Sequence, residues 1–215
     1  MRERPVVTPM FPLGSVLLPG EQLPLRIFEA RYASMLDDVI AGNSMFGVVL
    51  IERGSEVGGG DARGDVGTLA WIKEWAESAP RQYSLLCTGV QRIVIDEWLT
   101  DDPYPRARTR DLPDADGDEP VWSALLDRRA QLQLLCGQGG RRDPQLRWIA
   151  SQLAEPVDYS GPDATAASFR ATSELPLGAA DRQRALVAPD AAARVDVLVS
   201  AVDDLLAALR FRLQA

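Results

Sequence analysis

Histidine is absent from this chain of 215 residues. Its absence removes Ser-His-Asp and Cys-His nucleophile systems, imidazole-bearing zinc sites and the usual proton shuttle near neutral pH. Lysine is nearly absent too: Lys73 is the sole one, and the remaining basic residues are arginine. Lys73 could serve as the base of a Ser-Lys pair only if burial lowered its pKa, and between Ile72 and Glu74 it reads as an exposed strand lysine. Cysteine is limited to Cys87 and Cys136. Both lie in apolar surroundings and read as reduced core thiols of a cytoplasmic protein, with a disulfide between them as the other option. There is no run of about 18 apolar residues, so no membrane span is expected. The charged start Met1-Arg2-Glu3-Arg4-Pro5 is not followed by an apolar stretch, and no secretory signal is expected. No Gly-x-x-x-x-Gly-Lys-[Ser/Thr] occurs, so the chain has no Walker cradle for phosphates.

What is present is ordinary globular material: 46% hydrophobic and 25% charged residues, with a formal net charge of -8. That charge repels phosphate backbones and anionic bilayers, so neither nucleic acid nor membrane is an expected partner. The acidic pairs Asp37-Asp38, Asp101-Asp102 and Asp203-Asp204 read as solvated helix and turn residues, because neighbours on a helix point apart. No metal or cofactor is assigned. The glycine-rich stretch from Arg53 to Asp65, with Gly58-Gly59-Gly60, has no following Lys. A dinucleotide pattern begun at Gly58 and Gly60 would need glycine where Arg63 stands. It reads as a mobile hairpin connection.

The first half is strand-rich with one helix. Met10 to Leu18 is apolar and ends at the Pro19-Gly20 turn, and Leu23 to Ile27 is a short strand whose Pro24 argues for an edge or a bulge. Phe28, Tyr32, Met35, Leu36, Val39 and Ile40 form one helical stripe, with Gly42 as a natural residue just past its end. Met45 to Ile51 reads as a strand buried on both faces. Further strands are expected over Val66 to Trp75, Gln82 to Thr88, Val90 to Trp98 and Tyr104 to Arg110. About six short strands plus one helix suggest a closed or nearly closed barrel. Asp111 to Glu119 is acidic and reads as a linker. Helices follow: one capped by Asp118 and ending at Gly137, one opened by Asp143-Pro144, one capped by Asp163, and a short one over Ala180 to Val187. A last helix runs from near Pro189 to about Leu213. Its seam of Val195, Leu198, Val199, Val202, Leu205, Leu206, Leu209 and Leu213 must be buried against neighbours or another chain.

Several segments resemble the N-terminal domain of the Lon family of ATP-dependent proteases, a domain also found in cereblon-like proteins. They are Phe11-Pro12-Leu13, Val16 to Gly20 and Leu23 to Tyr32, then Gly47 to Leu50, Gly67 to Ile72, Tyr83 to Leu86, Gly89 to Ile95 and Pro103-Tyr104. The match is specific from about residue 8 to 112. The resemblance implies an α+β fold, a PUA-like β-barrel over 5–112, a linker over 113–120 and a helical bundle over 121–215. It also implies a substrate-recognition role without the ATPase and Ser-Lys protease parts of Lon.

The expectation is therefore a non-catalytic, cytoplasmic module that binds exposed hydrophobic segments of unfolded or misfolded proteins in quality control. An adaptor that docks to a separate AAA+ protease, or to a second copy through the last helix, is the alternative. The candidate groove, expected between barrel and bundle, uses Leu25, Arg26, Ile27, Phe28, Glu29, Arg31, Tyr32, Trp71 and Trp75. Trp71 and Trp75 stand four apart in a strand, which predicts a shared face; they read either as packed core or as an aromatic platform for peptide.

Overall fold

The computed structural model describes residues 5–53 and 62–214. The chain divides into two compact units between Pro113 and Asp114. The glycine run at residues 58–60 lies outside the described residues.

The first unit contains β1 (Val6–Leu13), β2 (Gln22–Ile27), α1 (Ala30–Ala41), β3 (Met45–Arg53), β4 (Ala62–Ala79), β5 (Gln82–Trp98) and β6 (Arg106–Asp111). They form one six-stranded sheet in the order β2-β5-β4-β3-β1-β6, and β6 also pairs with β5, so the ladder returns on itself. β1 and β3 are parallel and the remaining pairs antiparallel. β2 stands at the end of this order and pairs only with β5 among the described residues.

Alternation explains how β1 serves two apolar clusters. Phe11 and Leu13 join Ile27, Tyr32, Met35, Leu36 and Phe46 on one side, while Met10 joins Val49, Ile93, Ile95 and Ala107 on the other. β3 is buried continuously from Phe46 to Leu50, as its unbroken apolar run requires.

Two expected strands, 82–88 and 90–98, are one. β5 passes straight through Gly89, whose N–H donates to the Glu21 carbonyl (2.9 Å) and whose carbonyl accepts from the Gly20 N–H (2.8 Å). A Cβ at Gly89 would lie 2.2 Å from the Leu18 carbonyl oxygen, so only glycine admits the 18–21 turn against the strand. In α1 the stripe is buried at Tyr32, Met35, Leu36 and Val39, while Phe28 precedes the helix. Gly42 keeps a negative φ of -98° and donates to the Asp38 and Val39 carbonyls. The left-handed residue in this turn is Ser44, at φ 59°.

The second unit is helical: α2 (Trp122–Gly139), α3 (Pro144–Leu153), α4 (Ala164–Glu174), α5 (Ala179–Val187) and α6 (Ala191–Gln214). Asp143 Oδ1 accepts from the Gln145 and Leu146 N–H groups, and Asp163 Oδ1 from the Ala166 N–H, so both act as the caps their positions predict. Asp118 does not: α2 starts four residues later, with Val121 at the capping position and no side-chain cap. The α6 seam is spent inside this unit, with Val195, Leu198, Val202 and Leu206 buried against residues of α2, α3, α4 and α5. No helix among the described residues is long and apolar enough to cross a membrane.

Candidate functional site

The edge strand β2 and the start of α1 build a cavity lined by six of the nine sequence-chosen residues. The Gly89 N–H bond to the Glu21 carbonyl fixes the parity of the strand. In an antiparallel ladder alternate residues turn both backbone groups to the same neighbour. Leu23, Leu25 and Ile27 therefore face β5 with their N–H and C=O groups, and Gln22, Pro24 and Arg26 turn theirs outward. Pro24 fits this parity because the N–H it lacks would have pointed away from β5. The outer edge keeps the Gln22 and Arg26 N–H groups and three carbonyls for another strand.

Beside this edge lies a cavity of about 210 Å³, lined by Leu25, Arg26, Ile27, Phe28, Glu29 and Tyr32 together with Phe11, Pro12, Leu13 and Pro24. Ile27 and Tyr32 are buried and form its floor, with the Phe11 ring 4.3 Å from that of Tyr32. Phe28 is 65% exposed, a large apolar side chain at the mouth. Arg31 Nε donates to Glu29 Oε2 at 3.1 Å, and its guanidinium stands 4.5 Å from the Tyr32 ring centroid. This pair screens the polar rim and orients Tyr32. Arg26 is exposed and has no carboxylate partner among the described residues.

The far end of α1 is tied down as well. Tyr104 Oη donates to Asp38 Oδ2 at 2.7 Å; burial first, then the carboxylate, push the Tyr104 phenol up to about 12. Behind β2, Cys87 is fully buried opposite Leu23, and burial pushes its thiol up to about 12, so it is a packing residue and not a nucleophile.

The two tryptophans part company. Trp71 lies opposite Thr88 and Trp75 opposite Leu85, and the register slips by one residue between Ile72 and Glu74. Thr88 and Leu85 are three apart on a regular strand, so their partners occupy opposite faces of the sheet. The expected shared face is thus lost to a bulge at Lys73 that the spacing of four conceals. Trp75, 51% exposed, stands edge-on to Tyr83 with centroids 6.2 Å apart, on the face that Leu85 and Leu25 share. Trp71 is 43% exposed on the other face. Neither is core, and neither lines the cavity. Phe11, Pro12, Leu13 and Pro24 were missed as site residues, because the first three read as strand interior and the proline as an edge marker.

Among the described residues no group of three or more Cys, Asp or Glu side chains is placed to hold a metal ion. What the site offers is an apolar trough beside the end strand of the sheet.

The family model of the ATP-dependent protease La (LON) substrate-binding domain matches residues 7–204, and the chain belongs to this family. The chain is 29% identical to Lon protease 2 of Myxococcus xanthus over 159 residues, 73% of this chain and 19% of that protein. It is 25% identical to Lon protease 2 of Sorangium cellulosum over 208 residues, 95% of this chain and 25% of that one. The chain thus spans about a fifth to a quarter of the length of these relatives. Two solved structures share the fold: a Lon N-terminal domain protein from Xanthomonas campestris (TM-score 0.62, 24% identity, 91% of this chain and 98% of that one) and the N-terminal domain of Mycobacterium avium complex Lon protease (TM-score 0.57, 17% identity, 93% and 99%).

Proposed function

We propose that the β2–α1 trough binds extended, apolar segments of unfolded or misfolded proteins, as a cytoplasmic recognition module of protein quality control. The observation that carries this reading is the pairing of an outward-facing backbone edge at Gln22, Pro24 and Arg26 with an apolar cavity whose mouth holds the exposed Phe28. A client strand laid along β2 gains backbone hydrogen bonds and places alternate side chains over Leu25, Phe28 and Tyr32. Affinity is modest, in keeping with a disordered ligand that loses conformational entropy when it docks. Pro24 and the neighbouring Arg26 blunt the edge against indiscriminate pairing with other copies.

The family relation supports a substrate-binding role, and an ATPase and peptidase supplied in the same or a separate chain would act on what is bound. Docking through the α6 seam is not favoured, because its central residues are already packed within the helical unit.

The test is a fluorescence-anisotropy titration with a labelled unfolded apolar segment and a folded protein of the same size. The unfolded probe should bind, and Phe28→Ser should weaken it at least tenfold with no change in Tm. Equal binding of folded and unfolded probes, or an unaffected Phe28→Ser variant, defeats the reading.

A further inference from the structure

A second recognition surface lies in the helical unit. The turn between α2 and α3 and the end of α6 enclose an open cleft of about 840 Å³, whose lining includes Arg141, Arg142, Arg212, Asp143, Leu146 and Leu213. Three guanidinium groups meet one carboxylate there, and that carboxylate is taken: Arg212 Nη2 donates to Asp143 Oδ2 at 2.7 Å. Arg141 and Arg142 are exposed and have no carboxylate partner among the described residues. A chain with a net charge of -8 carries acidic groups in excess, so two unpaired arginines side by side on it mark a local reversal of sign.

The cleft is built and not merely charged. The Arg142 and Asp143 N–H groups donate to the Gly139 carbonyl at 3.0 and 3.1 Å, and Arg147 Nε donates to the Gly140 carbonyl at 2.9 Å. The turn therefore presents its arginines from a fixed backbone, which lowers the entropy lost on binding. Its floor is apolar: a Cβ at Gly139 would meet Leu146 Cδ1 at 2.5 Å and Leu213 Cδ2 at 3.1 Å. At the rim Leu213 is 40% exposed. A partly exposed leucine beside unpaired arginines suits a ligand with both acidic and apolar side chains.

We propose that this cleft binds a short acidic-apolar segment of a partner protein, through Arg141 and Arg142 to its carboxylates and through Leu146 and Leu213 to its apolar side chains. A nucleic acid fits less well. Its long array of phosphates meets the acidic remainder of the chain and makes no use of the apolar floor. The site shares no residue with the β2–α1 trough and stands or falls without it.

The test uses the whole protein and three labelled probes: a 12-residue peptide alternating Asp and Leu, its Lys-Leu counterpart, and a single-stranded 12-nucleotide DNA. Anisotropy should show the Asp-Leu peptide binding at least tenfold more tightly than either of the other probes. Arg141→Glu with Arg142→Glu should weaken it at least tenfold, while Phe28→Ser leaves it unchanged. Should the reversal disturb the fold by circular dichroism, Arg141→Gln with Arg142→Gln takes its place, with a loss of at least threefold. The proposal is overturned if the acidic peptide binds no better than the basic one, if the arginine variants bind it normally, if Phe28→Ser abolishes its binding, or if the DNA binds as tightly.

Discussion

Arg194 has no exposed surface, yet its charge is fully answered within the helical unit. Its Nη1 and Nη2 donate to Asp114 Oδ2 and Oδ1 at 3.0 and 2.8 Å, Nη1 also donates to Ser168 Oγ at 2.7 Å, and Nε to the Ala185 carbonyl at 3.0 Å. The guanidinium lies 3.7 Å from the Phe169 ring centroid. Asp114 belongs to the acidic stretch that reads as a linker in the sequence; the structure makes it the partner of the most deeply buried charge. Breaking such a pair by removing one member strands the other in low dielectric. Asp114→Ala should therefore lower stability to urea by about 3–5 kcal/mol, while the double change Asp114→Leu with Arg194→Met recovers most of that loss. Equal losses in the single and double variants would show that packing, not the charge, matters. A second residue-scale expectation concerns Gly89, where an added methyl meets backbone and not a movable side chain. Gly89→Ala should cost about 2–3 kcal/mol, read as a drop in urea midpoint, although the position lies in a strand that otherwise favours side chains.

Helix stripes, caps and hairpins were largely legible at the level of elements. Asp143-Pro144 and Asp163 opened their helices because a carboxylate acceptor at the N-cap is a local, sequence-readable device. What escaped were consequences of non-local contact. The fusion of two strands into β5 depends on the 18–21 turn docking at Gly89, and the parity of Trp75 depends on a bulge set by the partner strand. Of the candidate site, the stretch from Leu25 to Tyr32 was legible because one motif supplies both strand edge and helix start. Phe11 and Leu13, brought there by sheet closure, were not. Two predictions belong to this scale. Arg26→Pro removes an outward N–H while sparing the bonds to β5, so peptide binding should fall at least fivefold with Tm nearly unchanged. For α1, the Tyr104 phenol bound to Asp38 is raised, so its contribution is fully present below about pH 10 and is lost as pH rises towards about 12. Tyr104→Phe should remove the part of the alkaline loss of stability that falls in this window, as measured by thermal denaturation between pH 9 and 12.

Taken as a whole, the molecule answers its own composition. A chain without histidine, with a single lysine and with Cys87 and Cys136 both buried, offers few groups suited to acid-base or nucleophilic work. Its described surface carries an apolar trough beside the end strand β2 in one unit and an arginine-lined cleft in the other. The overall negative charge opposes polyanions at long range. The central claim is that extended polypeptide adds to β2, and amide hydrogen exchange by NMR tests it most directly. On saturation with an unfolded apolar peptide, the outward amides of Gln22 and Arg26 should exchange at least tenfold more slowly, while those of Leu23 and Leu25, already bonded to β5, change little. Unaltered exchange at Gln22 and Arg26 in a peptide-saturated sample would contradict the account.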